Sequence, residues 1–193
     1  MVTKFTSPVH AYRLFKLLPI LFLIIWVADS GDYQTKVYTR AILAGLCFSI
    51  VGDFLLVFPT QFKSGLFSFL TGPLWYMVAL ISCDWSVPIF PTIIIIILAM
   101  GMISQLYPTS GKLKIPVLVY ITVIAGMGIT AFGRLEAIQS TPAIIGAMGA
   151  TLFMISDGIL GWNKFKKPFH LAEGIILVAY YSSQWMIAFS TMM

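Results

Sequence analysis

Two aspartates stand where acidic side chains are costly. Asp53 lies in Ser49-Ile50-Val51-Gly52-Asp53-Phe54 and Asp157 in Ser156-Asp157-Gly158, each inside an apolar stretch of bilayer-spanning length. An ionisable group at such depth costs about 3 kcal/mol unless a cavity or a partner receives it, which makes it a functional candidate by default. Two carboxyl groups held together can divide proton work, one giving a proton and the other taking one. Further polar groups stand at comparable or somewhat greater depth: Lys16, Tyr76, Tyr120, Tyr180, Tyr181 and Gln184, with Glu173 opening the last apolar run. Tyr181 and Gln184 share a helix face through their i,i+3 spacing, and Tyr180 and Gln184 through i,i+4. Such groups would gather in a polar chamber. Read more plainly, Asp53 caps a broken helix or pairs with Lys16, Asp157 is solvated near the headgroups, and the tyrosines only pack.

Other chemistries lack their tools. The two histidines, His10 and His170, lie outside or at the edge of the apolar runs, and no His/Cys/carboxylate cluster has zinc-ligand spacing. No Gly-x-Ser-x-Gly elbow and no Gly-rich phosphate loop occurs. The expectation is therefore no metal and no cofactor, with carboxyl groups, phenols and an amide as the reagents. Cys47 and Cys83 read as thiols that pack like small hydrophobes.

The elements that must position these groups follow from composition. Of 193 residues 59% are hydrophobic and only 10% charged, with a mean hydropathy of +0.94. A soluble domain is nearer a quarter charged, so lipid is the expected solvent. Seven apolar runs predict an all-α, polytopic helix bundle: a single transmembrane domain over residues 1–193, with spans near 12–28, 38–58, 64–82, 88–106, 114–133, 142–161 and 171–190. Pro19 interrupts the first run, which argues against a cleaved signal. With the N-terminus in the cytoplasm, the inner segments hold Lys4, Arg13, Lys16, Lys63, Lys112, Lys114, Lys164, Lys166 and Lys167, and the outer ones only Lys36, Arg40 and Arg134. That imbalance fits the positive-inside rule, and it accounts for the net charge of +5 without nucleic acid as a partner. Asp53 and Asp157 then sit at matching depths, each about 7 Å from the cytoplasmic end of its span. Small residues such as Gly45, Ser49, Gly126, Gly128, Gly146, Gly149 and Ala150 supply close helix contacts.

The order of the polar motifs resembles the YhhN family, the lysoplasmalogenases, from about Phe15 to Ala188. The pieces are Lys16-Leu17-Leu18-Pro19, Leu43-Ala44-Gly45-Leu46-Cys47-Phe48-Ser49 running into Gly52-Asp53-Phe54-Leu55-Leu56, then Gly65-Leu66 and Phe69 before Tyr76. Pro116-Val117 with Tyr120, Gly146 to Phe153 with Ser156-Asp157, Asn163-Lys164-Phe165, and Tyr180-Tyr181 with Gln184 complete them. In one place the chain departs: Pro73 stands where the resemblance leads one to expect a histidine. Family members often carry an eighth helix at the N-terminus, for which the chain before Lys16 is too short.

The resemblance implies a membrane hydrolase that cleaves the vinyl ether of a lysophospholipid, releasing a fatty aldehyde and a glycerophospho-headgroup. It implies Asp53 and Asp157 as the acid/base pair, and an endoplasmic reticulum membrane if the source is eukaryotic. Lys16 would meet the headgroup phosphate or an aspartate, and Tyr76, Tyr120, Tyr180, Tyr181 and Gln184 would line the substrate site. The competing readings are a small proton- or cation-coupled transporter or channel, and a lipid-binding protein without turnover.

Overall fold

The computed structural model describes residues 16–30 and 36–192, and among them it contains helices and no strand. The helices are α1 (Leu18–Ser30), α2 (Lys36–Leu56), α3 (Phe62–Ile81), α4 (Ile89–Leu106), α5 (Lys114–Ile138), α6 (Thr141–Phe165) and α7 (Ala172–Phe189). Residues 12–15, expected to open the first span, lie outside the described residues, as do Lys4, His10 and Arg13.

Five helices, α2 to α6, are long and apolar enough to cross a membrane, which makes the chain an integral membrane protein. The helix is the economical answer in lipid, because it satisfies its backbone polar groups internally. α1 is apolar but has only 13 residues. α7 reaches 18 residues but is less apolar, because Tyr180, Ser183 and Gln184 point into the bundle and are buried.

Six helices close a ring through neighbour contacts in the order α1, α2, α3, α5, α6, α7 and back to α1; α4 leans on the outside against α5 and, more lightly, α6. Only Ile95 and Leu106 of α4 are buried. Its isoleucines mostly face outward, as lipid-facing residues would. Within the ring, glycines set the closest approaches. A Cβ on Gly45 would overlap the Tyr76 ring, and one on Gly149 would come within 2.9 Å of Ile187. Gly52 is in the same position against Phe69. These contacts join α2 to α3 and α6 to α7, since association in lipid depends on packing rather than on a hydrophobic drive. Pro73 is fully buried inside α3, and the helix runs on through it to Ile81.

Two elements outrun their expected ends. α5 continues five residues past 133 and α6 four residues past 161. Charged and polar residues in those turns do not stop a helix; the stop comes from Gln139, which takes a left-handed conformation (φ 47°) and donates its N–H to the Leu135 carbonyl at 2.9 Å. Ser140 then caps α6, accepting from the Ala143 N–H at 3.4 Å, with Pro142 in the first turn. Arg134 is likewise not in a loop. It lies in α5, is buried, and donates to the Tyr38 hydroxyl at 2.8 Å while stacking on that ring. Ser190 completes that cluster, 2.6 Å from the Tyr38 hydroxyl.

Candidate active site

Each aspartate is held by a phenol from another helix. The Tyr120 hydroxyl, on α5, donates to Asp157 Oδ2 on α6 at 2.6 Å. The Tyr180 hydroxyl, on α7, donates to Asp53 Oδ2 on α2 at 2.9 Å. A hydrogen bond of this kind contributes about 1 kcal/mol net, and leaving a buried carboxyl without it costs more. The two carboxyl groups thus stand on α2 and α6, each tied to a phenol of a further helix. Asp157 lies eight residues before the end of α6 and Asp53 three before the end of α2. The unequal spacing reflects the extra length of α6.

A second polar chain sits beside the first. The Tyr76 hydroxyl donates to Gln184 Oε1 at 2.5 Å, and Gln184 Nε2 donates to Ser49 Oγ at 3.2 Å. All three side chains are fully buried. The sequence marks Ser49 as a small residue at a helix contact and as part of a family motif, not as a site residue. It lies one helical turn before Asp53, and that i,i+4 spacing is the signal that could have placed it on the site face. Aromatic rings wall the chain in: Phe69, Phe153 and Tyr180 have centroids 5.5 to 6.4 Å apart, and Tyr76 meets Phe153 edge-on.

The structure distributes the expected substrate-binding residues differently from the single chamber imagined. Lys16 forms an ion pair with Glu173 at 2.5 Å, so the helix-opening acid and the first lysine meet each other. Tyr181 donates to the Lys16 carbonyl at 2.7 Å and so ties α7 to the start of α1. Gln184 and Tyr76 are engaged with each other. Among the named groups, only Asp157 and Tyr120 reach a large opening.

That opening is a groove of about 1050 Å³ between α4 and the faces of α5 and α6. Its walls are almost wholly apolar, with residues such as Ile95, Ile124, Ala125 and Met154, and Asp157 and Tyr120 lie in them. Phe69 also stands in the wall. Its ring packs against Gly52, next to Asp53, and against Tyr180, the phenol on Asp53. Among the described residues no group of three His, Cys, Asp or Glu is placed to hold a metal ion. The arrangement can present a proton-bearing or proton-accepting carboxyl to a long apolar molecule, with a second carboxyl behind a ring of aromatic side chains.

Comparison with known proteins decides the lineage. Residues 11–191 match the YhhN family. The chain belongs to that family. Lysoplasmalogenase TMEM86B of Homo sapiens is 30% identical over 93% of this chain and 74% of its own length. Lysoplasmalogenase TMEM86A of Bos taurus is 28% identical over 96% of this chain and 80% of its own. An uncharacterized membrane protein YhhN of Escherichia coli is 23% identical over 95% and 88%. No solved structure matches. The match to the YhhN family spans α1 to α7 and every polar residue of the candidate site.

Proposed function

We propose that this protein is a lysoplasmalogenase-like hydrolase of the membrane, and that Asp157 and Asp53 carry the proton chemistry. The observation that carries the reading is Asp157, bonded by Tyr120, in the wall of a long apolar groove. The names of the mammalian relatives point the same way.

The chemistry suits the residues. In a vinyl ether, R–CH=CH–O–R′, a proton added to the outer alkene carbon leaves an oxocarbenium ion. Water adds to that cation and loses a proton; the hemiacetal then collapses to the aldehyde R–CH2–CHO and the alcohol HO–R′. A glycosidase manages the same kind of cation with two carboxyl groups. Asp157 lines the groove, which supports giving it the protonation of the alkene carbon. Asp53, bonded by Tyr180 and reached through the Phe69 ring that also lines the groove, is the second carboxyl, serving the water or the developing positive charge. Tyr120 fixes the Asp157 carboxyl, and Tyr180 fixes that of Asp53.

The same proposal places all seven helices across the bilayer with the Lys16 end toward the cytoplasm. The excess of basic residues on the Lys16 side supports it, and setting buried Arg134 aside leaves nine against two. α1 and α7 fall short by length and composition respectively, but both close the ring around the polar groups.

The test is aldehyde release by purified protein from lysoplasmenylethanolamine, set beside ion flux in proteoliposomes. Aldehyde without flux is expected. Asp157→Asn and Asp53→Asn should each lose at least about 100-fold in rate, the usual scale for removing a proton-transfer group. Full activity in either variant rejects that residue's part in the pair. Flux without aldehyde would favour a transporter.

A further inference from the structure

The groove has a direction. α6 carries both Asp157 and Lys164 in the groove wall. They are seven residues apart, which returns to nearly the same helix face about 10 Å further along. At that end Gln105 and Trp162 also line the groove. Lys166 bonds Gln105 and lies over the Trp162 ring, so a second ammonium group stands at the mouth. Asp157 is the only carboxylate in the lining. The other end is apolar: along α5 the groove runs from Tyr120 past Ala125 to Phe132, twelve residues or about 18 Å.

We infer that this groove fixes the register of a single-chain phospholipid, with the phosphate at Lys164 and the Gln105–Lys166 pair, the reactive alkene at Asp157, and the hydrocarbon tail running along α5 toward Phe132. The register rests on the hydrolase reading for the chemistry at Asp157. The dimensions agree. Seven bonds separate the carbon to be protonated from the phosphorus, about 8 Å extended at about 1.2 Å per bond. An ammonium-to-phosphate hydrogen bond adds about 3 Å, which matches the helical spacing of Asp157 and Lys164. In the other direction, 18 Å of apolar wall accommodates about fifteen bonds of extended chain.

Equilibrium binding of saturated alkyl-ether lipids tests this without any turnover. The probes are 1-O-hexadecyl lysophosphoethanolamine, its octyl counterpart, and 1-O-hexadecylglycerol, which has no phosphate. Lys164→Gln should weaken the hexadecyl phospholipid about 10-fold, a penalty that vanishes with hexadecylglycerol. Ala125→Phe should weaken the hexadecyl phospholipid at least about 10-fold and spare the octyl one, because the new ring closes the channel about six bonds past Tyr120. Equal losses for phospholipid and glycerol in Lys164→Gln, or an unchanged chain-length preference in Ala125→Phe, would overturn the register. These outcomes hold whether or not the wild-type protein releases aldehyde, so a failure of the hydrolase reading would be seen separately.

Discussion

At the residue scale the site is built from pairs. Each carboxyl meets a phenol, and the amide of Gln184 is taken at both ends by Tyr76 and Ser49. Buried polar groups of this kind are costly when left unmatched and inexpensive when matched. Tyr120→Phe removes the one donor on Asp157 Oδ2 without changing the shape of the wall. The expected result is a roughly 10-fold loss of rate, corresponding to about 1.4 kcal/mol, with folding retained; steady-state aldehyde release measures it. An unchanged rate would mean that the phenol does not position the carboxyl. Which residues were polar in an apolar setting was legible from composition alone, and Asp53, Asp157, Tyr120 and Gln184 all stood out that way. Which phenol meets which aspartate was not. Tyr180 and Asp53 are 127 residues apart, and nothing local to either records the other. The Lys16–Glu173 ion pair was not legible for the same reason: the two residues lie at opposite ends of the chain, and their closeness in space is set by α1 packing on α7.

At the element scale, glycines govern how near the helices come. Gly45 and Gly52 let α2 receive the Tyr76 and Phe69 rings of α3, and those rings then wall the polar chain. A larger side chain at Gly45 has nowhere to go except into Tyr76. Gly45→Leu should lower stability by about 1–3 kcal/mol, as overpacking does, and should loosen the Tyr76–Gln184 bond; thermal unfolding in detergent reads the first effect. An unchanged melting temperature would show that α2 and α3 are free to separate. The periodic small residues made such contacts legible in the sequence, but not their partners. Arg134 is the opposite lesson. Counted among loop charges, it instead lies buried in α5 against Tyr38, because a helix does not end at a charge when the following residues can still form its hydrogen bonds. Similarly, the Ile93–Ile97 run of α4 fits a lipid-facing helix or core filler equally, since a uniformly apolar helix has no face to declare; in the fold it leans outside the ring.

At the scale of the whole molecule, the ring of six helices and the outlying α4 together make an apolar groove whose middle carries a carboxyl group. Its polar end carries Lys164, with Lys166 beside it on Gln105. The proposed orientation predicts that a cysteine at Lys112 or Lys167 reacts with a membrane-impermeant thiol reagent from the cytoplasmic side, and one at Ser86 from the opposite side, in a background where Cys47 and Cys83 are replaced. Reversed labelling would invert the topology while leaving the site intact. The most direct measurement of the central claim is turnover of lysoplasmenylethanolamine in D2O, followed by mass spectrometry of the fatty aldehyde, for wild type and Asp157→Asn. Protonation at the alkene carbon predicts one deuterium on the carbon next to the carbonyl, formed by the wild type and at least about 100-fold more slowly by the variant. Aldehyde without deuterium there, or equal rates for the two proteins, would contradict it.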